Sequence, residues 1–233
     1  SDEAFTLTVV ATATEVDGST ASATAFLPVT VISVADPPDL TTSPASGNED
    51  TAIALSFTAS VTDTDGSESI TSYVISGVPA GSVLSAGTDN LDGSWTLLPG
   101  DIAGLTITPP PNRETGFTLT VAATSTEAAN GASATTSLPL VVSVTPVDDP
   151  PDLGSLSGGS VAENAAAGTS VGTVIGTDPD AGSILSYSLL SDAGGRFSIE
   201  SATGVIRVVD PRLLDFEDDA SHEVVVRITD EDG

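Results

Sequence analysis

Carboxylates are the one reactive group this sequence supplies in number, and their spacing follows a rule. Glu49 lies 14 residues before a D-x-D pair, Asp63 and Asp65, and Glu163 lies 15 residues before a second pair, Asp178 and Asp180. Two acidic corners accompany them: "ADPPDL" at 35–40, which contains Asp36, and "DDPPDL" at 148–153, which contains Asp148 and Asp149. Asp36 and Asp149 stand 113 residues apart. Carboxylates crowded into a small space repel one another unless a cation sits among them. Ca²⁺ accepts roughly 6–8 hard oxygen ligands from carboxylates, backbone carbonyls and water. The chemistry on offer is cation ligation.

Other chemistries lack their parts. The 233 residues carry 33 acids against 5 bases, all arginine, and the net charge is −28. Without lysine or cysteine there is no P-loop and no thiol chemistry, and one histidine, His222, has no spaced nucleophile partner. A carboxylate-pair hydrolase needs a pocket, which short tandem sandwiches seldom form. We therefore expect a non-enzymatic protein. Its field repels nucleic acid and anionic membrane surfaces and draws cations. No apolar run reaches the roughly 18–20 residues of a membrane span. A positive mean hydropathy, +0.21, argues against a solvated, unfolded chain. Without a leader segment or methionine, the sequence is expected to be an internal piece of a longer polypeptide.

The elements that must position the acids are strands. "FTLTVVATATE" at 5–15 returns as "FTLTVAATSTE" at 117–127, and both copies run through "LP" to the "DPPDL" corner. A period near 113 suits tandem whole domains rather than solenoid units. Period-two alternation also marks "TAIALSFTASV" at 51–61, "GVIRVV" at 204–209 and "HEVVVRIT" at 222–229. Gly, Asn, Asp and Pro clusters interrupt these runs, and no stretch keeps a helical period. The fold class is all-β, a string of antiparallel Greek-key β-sandwiches joined end to end. Pro-Pro cannot join a ladder and marks the boundaries. The organisation is then 1–36 as the last strands of a preceding repeat, 37–147 as a repeat, and 148–233 as a repeat lacking its last strand. Phe5, Phe117 and Phe197 fall at core positions, Trp95 at the core or its rim, and His222 at the surface or a strand edge.

In such a sandwich the Glu and the D-x-D lie at opposite poles. The Glu of one repeat, the linker acids and the D-x-D of the next then converge on a junction. For the 147–152 corner the set is Glu49, Asp148, Asp149, Asp178, Asp180 and Asp230. Asp36, Asp63 and Asp65 form the corresponding group at the 34–38 corner, with Ala35 in the place of Asp148. Glu163 lies at the far end of the last repeat. The bland alternative is that Asp and Asn in "TDTDG" are turn residues; the paired spacing and the linker position argue against it.

Over 161–233 the sequence resembles a cadherin repeat. The motifs are x-E-x at Glu163, D-x-D at Asp178 and Asp180, L-D-x-E at Leu214–Glu217 and D-x-x-G at Asp230, with "VDDPP" at 147–151 similar to the family's N-D-N-x-P linker. The resemblance implies up to three Ca²⁺ ions between successive domains, and it implies that Asp215 and Glu217 join Glu163 as half a site at the far end. The preceding repeat departs from the pattern. "PPPNRETGF" stands where L-D-x-E belongs, and in "TEAANG" Glu127 replaces an aspartate. It looks like the Ig-like or cadherin-like extender repeats of giant bacterial adhesins of the RTX, type I-secreted kind. That resemblance implies an extracellular, Ca²⁺-stiffened spacer in cell adhesion and biofilm, whose partners are the neighbouring repeats. A carbohydrate- or protein-binding module is the alternative, though only 4% of residues are aromatic. A strand at 19–34 could also complete the third repeat of another copy by strand exchange.

Overall fold

The computed structural model describes residues 4–63 and 66–231, so Asp65 lies outside the described residues. The chain divides into two compact units, Ser1–Thr145 and Pro146–Gly233. Both are largely antiparallel β-sandwiches, and among the described residues helix is confined to two 3-10 turns, Pro99–Asp101 and Pro211–Leu213. Among the described residues no helix is long and apolar enough to cross a membrane.

The first unit opens with a hairpin, β1 (Ala4–Thr14) against β2 (Thr20–Thr30), in unbroken register from Ala4↔Thr30 to Thr14↔Thr20. Every residue of β1 is exposed. Phe5, expected in a core, is 47% exposed. Pairing satisfies the two backbones, but a two-stranded ribbon has no second sheet to bury its face against.

Next come β3 (Asp39–Ser43), β4 (Ala45–Asn48), β5 (Ile53–Ala54), β6 (Ser56–Ser60), β7 (Glu68–Ser76), β8 (Val83–Leu84), β9 (Thr88–Asp89), β10 (Ser94–Leu97), β11 (Thr106–Thr108), β12 (Phe117–Glu127) and β13 (Ser133–Thr145). The main sheet runs β4-β13-β12-β7-β10-β9, while β5-β11-β8 and β3-β6 form smaller sheets. The alternating run at 51–61 is therefore not one strand. It divides at Leu55, whose buried side chain and N–H bond to the Leu105 carbonyl hand the chain from one sheet to another. Leu119, Val121 and Ala123 of β12 pack inward with Tyr73, Ile75, Ile53 and Ile107, and Trp95 and Phe117 sit partly buried against this core.

The main sheet carries one irregularity near its acidic end. The β7–β12 ladder slips between Thr124 and Ser125: Thr124 faces Ser72, whereas Ser125 faces Ile70, so Thr71 is an extra residue. A one-residue bulge reverses which side chains point inward. Tyr73 and Ile75 are buried on one side of it, and Glu68 is buried on the other.

The second unit contains β14 (Asp152–Gly158), β15 (Ser170–Thr177), β16 (Ser186–Ser191), β17 (Phe197–Ile199), β18 (Val205–Val208) and β19 (Val225–Thr229). Its sheets are β14-β15-β18-β17 and β16-β19. Val174, Tyr187, Phe197, Ile206, Val208 and Leu214 make the core. Gly204, at φ +67°, lets the chain pass so close to Val174 that any Cβ there would strike the Val174 carbonyl. β19 starts three residues later than its alternating pattern suggested. His222 precedes it with a side chain only 13% exposed, its Nδ1 3.3 Å from Asp219 Oδ2. Its ring centroid lies 6.1 Å from that of Phe197.

Candidate cation sites at the poles of the units

The length of β13 separates the two ends of the first unit. Thirteen residues at about 3.3 Å each span roughly 40 Å. At one end Glu49 donates its N–H to the Thr145 carbonyl at 3.0 Å. At the other, the turn from Thr126 to Ser133 carries Glu127. Glu49 and Glu127 thus sit at opposite poles of the first unit.

The pole holding Glu127 is where the 34–38 corner docks. The Asp36 N–H donates to Glu68 Oε1 at 2.9 Å, and the buried Ser125 hydroxyl donates to the Asp36 carbonyl at 2.6 Å. Ser67 Oγ donates to Glu127 Oε1 at 3.3 Å. The Ala128 N–H in turn donates to the Ser67 carbonyl at 2.8 Å. Thr62 Oγ1 reaches the Pro37 carbonyl at 3.5 Å, which brings the chain leading to Asp63 alongside the same corner. Alternation along β12 explains the polar floor: Leu119, Val121, Ala123, Ser125 and Glu127 share one buried face, and its last two residues are polar.

Glu68 was not among the acids the sequence singled out. It is 6% exposed, Glu127 is 2% exposed, and the two are direct partners across the β7–β12 ladder. Facing side chains start about 5 Å apart. Two ionised carboxylates at that separation repel by about 3 kcal/mol in an effective dielectric near 20. No salt bridge reaches either of them among the described residues. Each also has one buried oxygen, Oε2, that accepts no hydrogen bond.

The second unit repeats the arrangement with other residues. The Asp149 N–H donates to Asp180 Oδ2 at 2.8 Å, and the Asp180 N–H donates to Asp178 Oδ1 at 2.8 Å. Ser183 Oγ adds a bond to Asp178 Oδ1 at 3.1 Å. A carboxylate oxygen of Asp149 lies within 4.8 Å of one from Asp180. Asp178 keeps its other oxygen, Oδ2, buried and without a hydrogen bond. The D-x-D is thus more than a turn: one carboxylate closes the loop while the next anchors the linker. Asp148 and Asp230 belong to this unit, and Glu49 belongs to the first.

At the far pole of the second unit, Glu163, Asp215 and Glu217 bring ligand oxygens within 4.8 Å of one another, all exposed. The Phe216 N–H donates to Glu163 Oε2 at 3.2 Å, and Asp215 Oδ1 accepts from the Glu217 N–H at 3.1 Å. The 3-10 turn before them is capped by Asp210, which accepts from the Arg212 N–H at 3.0 Å and pairs with its guanidinium at 2.8 Å. The hydrogen bonds from Arg212 hold the Asp210 carboxyl below the usual range. Next to this pole a groove of about 470 Å³, lined by Leu156, Val161, Phe197, Ile206 and Phe216, opens on the surface.

These donors fit a hard dication. All are carboxylate, carbonyl or hydroxyl oxygens, and buried carboxylate oxygens without donors stand at the N-terminal pole of each unit.

Residues 158–233 match the family model of the cadherin domain. Cadherin-23 of Mus musculus is 43% identical over 70 residues, which is 29% of this chain and 2% of that protein. Cadherin-23 of Rattus norvegicus shows the same identity over the same share. The chain thus spans about a fiftieth of the length of these relatives. Among solved structures, mouse cadherin-23 EC22-24 gives a TM-score of 0.46 at 22% identity, covering 88% of this chain and 64% of that one. Drosophila N-cadherin EC1-4 gives 0.46 at 20% identity, covering 99% and 54%. Chicken VE-cadherin EC1-2 gives 0.39 at 18%, covering 82% and 90%. The family match falls within the second unit, Pro146–Gly233.

Proposed function

We propose that this chain is a Ca²⁺-stiffened extender segment of a large bacterial cell-surface adhesin, working outside the cell as a spacer. The observation that carries the reading is the shared linker anchor. In each unit the aspartate of the Asp-Pro-Pro corner donates its amide to a carboxylate, Glu68 or Asp180, at a pole that holds a further buried carboxylate oxygen. A cation bound there ties the linker to the sandwich that follows it and limits how far the linker can swing. Because the ligands assemble only in the folded chain, binding adds directly to stability. Ca²⁺ at extracellular, millimolar levels keeps such sites filled. The same sites stay empty before export, which suits a chain secreted unfolded.

The acidic surface, the absence of cysteine and the tandem repeat support this over an enzyme. The test is small-angle scattering and thermal unfolding of the whole chain in millimolar Ca²⁺ and in EGTA. The reading expects a longer, stiffer particle and a higher melting temperature with Ca²⁺. Identical scattering profiles and identical melting in the two buffers would sink it.

A further inference from the structure

We propose that Glu68 and Glu127 hold a Ca²⁺ ion between them inside the first unit, with Glu68 taking the part that Asp180 plays in the second. The site rests on the Ca²⁺ reading of the chain and adds to it a ligand from the ladder itself, Glu68 on strand β7, facing Glu127 on β12.

Three observations meet at this pair. Glu68 and Glu127 are register partners on adjacent strands, and both are more than nine-tenths buried. Their Oε2 atoms are buried without a donor, while their Oε1 atoms are occupied by the Asp36 N–H and the Ser67 hydroxyl. Each carboxylate is therefore fixed at one oxygen and open at the other. The bulge at Thr71 is what turns Glu68 inward; unbroken alternation from Tyr73 and Ile75 would instead direct Thr71 and Ser69 there.

Buried like charges on facing strands persist only when something neutralises them. Neither carboxylate has an arginine partner among the described residues. Among the described residues the Ser67 and Ser125 hydroxyls and the Asp36 carbonyl surround the pair, and the chain holds no cysteine or methionine, a setting that favours a hard cation. Ca²⁺, with flexible geometry and tolerance of mono- or bidentate carboxylates, suits two side chains fixed by their backbones better than Mg²⁺, which demands a near-ideal octahedron.

The amides that touch the pair report on it. The Asp36 N–H is bonded to Glu68, and the Ala128 N–H is bonded to the Ser67 carbonyl. A ¹H–¹⁵N correlation titration of the whole chain with CaCl₂, from a metal-stripped start, should shift both amides in a saturable way. In Glu68→Gln these two shifts should vanish, while the Asp149 and Asp180 amides of the second unit still titrate as in the parent. Glu68→Asp keeps the charge but shortens the reach, and should weaken the Asp36 response at least about tenfold. Dispersed spectra of both variants establish that they fold.

Several outcomes would overturn the proposal. Asp36 and Ala128 amides that stay still while the second-unit amides move would remove this site and leave the wider Ca²⁺ reading standing. Amides that stay still in both units would remove both. A Glu68→Gln titration identical to the parent would also remove it. So would a ¹³C carboxyl titration in which one of the two glutamates stays protonated at neutral pH whether or not Ca²⁺ is present, because the pair would then share a proton instead of a metal.

Discussion

Asp36 and Asp149 are held in the same way by different residues. Each sits at an Asp-Pro-Pro corner and donates its amide to a carboxylate, Glu68 Oε1 at 2.9 Å in one case and Asp180 Oδ2 at 2.8 Å in the other. The acceptor in the second unit belongs to the D-x-D. The acceptor in the first opens strand β7, three positions beyond the corresponding aspartate in the sequence. The linker anchor persists while the residue supplying it moves.

Charge at Asp180 should be separable from its hydrogen bond. Asp180→Asn retains an oxygen for the Asp149 amide but loses a negative ligand, so stability without Ca²⁺ should change little and the gain on adding it should shrink. A ligand at a hundred times its dissociation constant stabilises by about 2.7 kcal/mol. For a unit of this size that is on the order of 10 °C in melting temperature. Calorimetry with and without EGTA on parent and variant checks it.

Ser125 should matter through its short bond to the linker. Its hydroxyl is buried and reaches the Asp36 carbonyl at 2.6 Å. Ser125→Ala leaves that carbonyl without its donor, at a cost of about 1–3 kcal/mol. Urea unfolding followed by Trp95 fluorescence should record the loss, and hydrogen exchange should show faster opening around 35–38.

Gly204→Ala tests the core of the second unit. The position combines φ +67° with a backbone approach that excludes a Cβ, and its carbonyl accepts from the Val174 N–H at 3.0 Å. The substitution should destabilise that unit by about 1–3 kcal/mol. Differential scanning calorimetry should show its transition falling while the transition of the first unit stays in place.

The Asp210–Arg212 pair sets an acid limit on the loop leading to Asp215. Its carboxyl is held low by the arginine, so its contribution is present above the unfolded value, near 4, and is lost as pH falls through the lowered folded value. Asp210→Asn should melt lower than the parent at pH 6, and the difference should narrow toward pH 3. A constant difference across that range would argue against the pairing.

Much of this was legible in the sequence. Period two located β1, β12, β18 and most of β19, while the spacing of Glu163 ahead of Asp178 and Asp180, with the L-D-x-E at Leu214–Glu217, singled out acids that the second unit gathers into two groups. What escaped has physical reasons. β1 and β2 alternate like core strands, yet alternation records only that one face is apolar and says nothing of whether a second sheet covers it. Glu68 escaped because "SESITSY" reads as an ordinary strand entry, and no residue type announces a bulge. His222 begins an alternating run, but its contacts with Phe197 and Asp219 hold it off the ladder.

Thr71 acts as a parity bit. Its own side chain stays outside, bonded at 2.9 Å to Thr126 Oγ1, and the ladder leaves it out of the count. Tyr73 and Glu68 are an odd number of positions apart, which would set them on opposite faces; skipping Thr71 makes the count even and puts both inside. Were the bulge to relax into regular pairing, Ser69 would come inward in place of Glu68, and the pole would become a neutral, hydroxyl-lined cap. One uncharged residue with no ligating role thus determines, by being passed over, whether this end of the sandwich is ionic or merely polar.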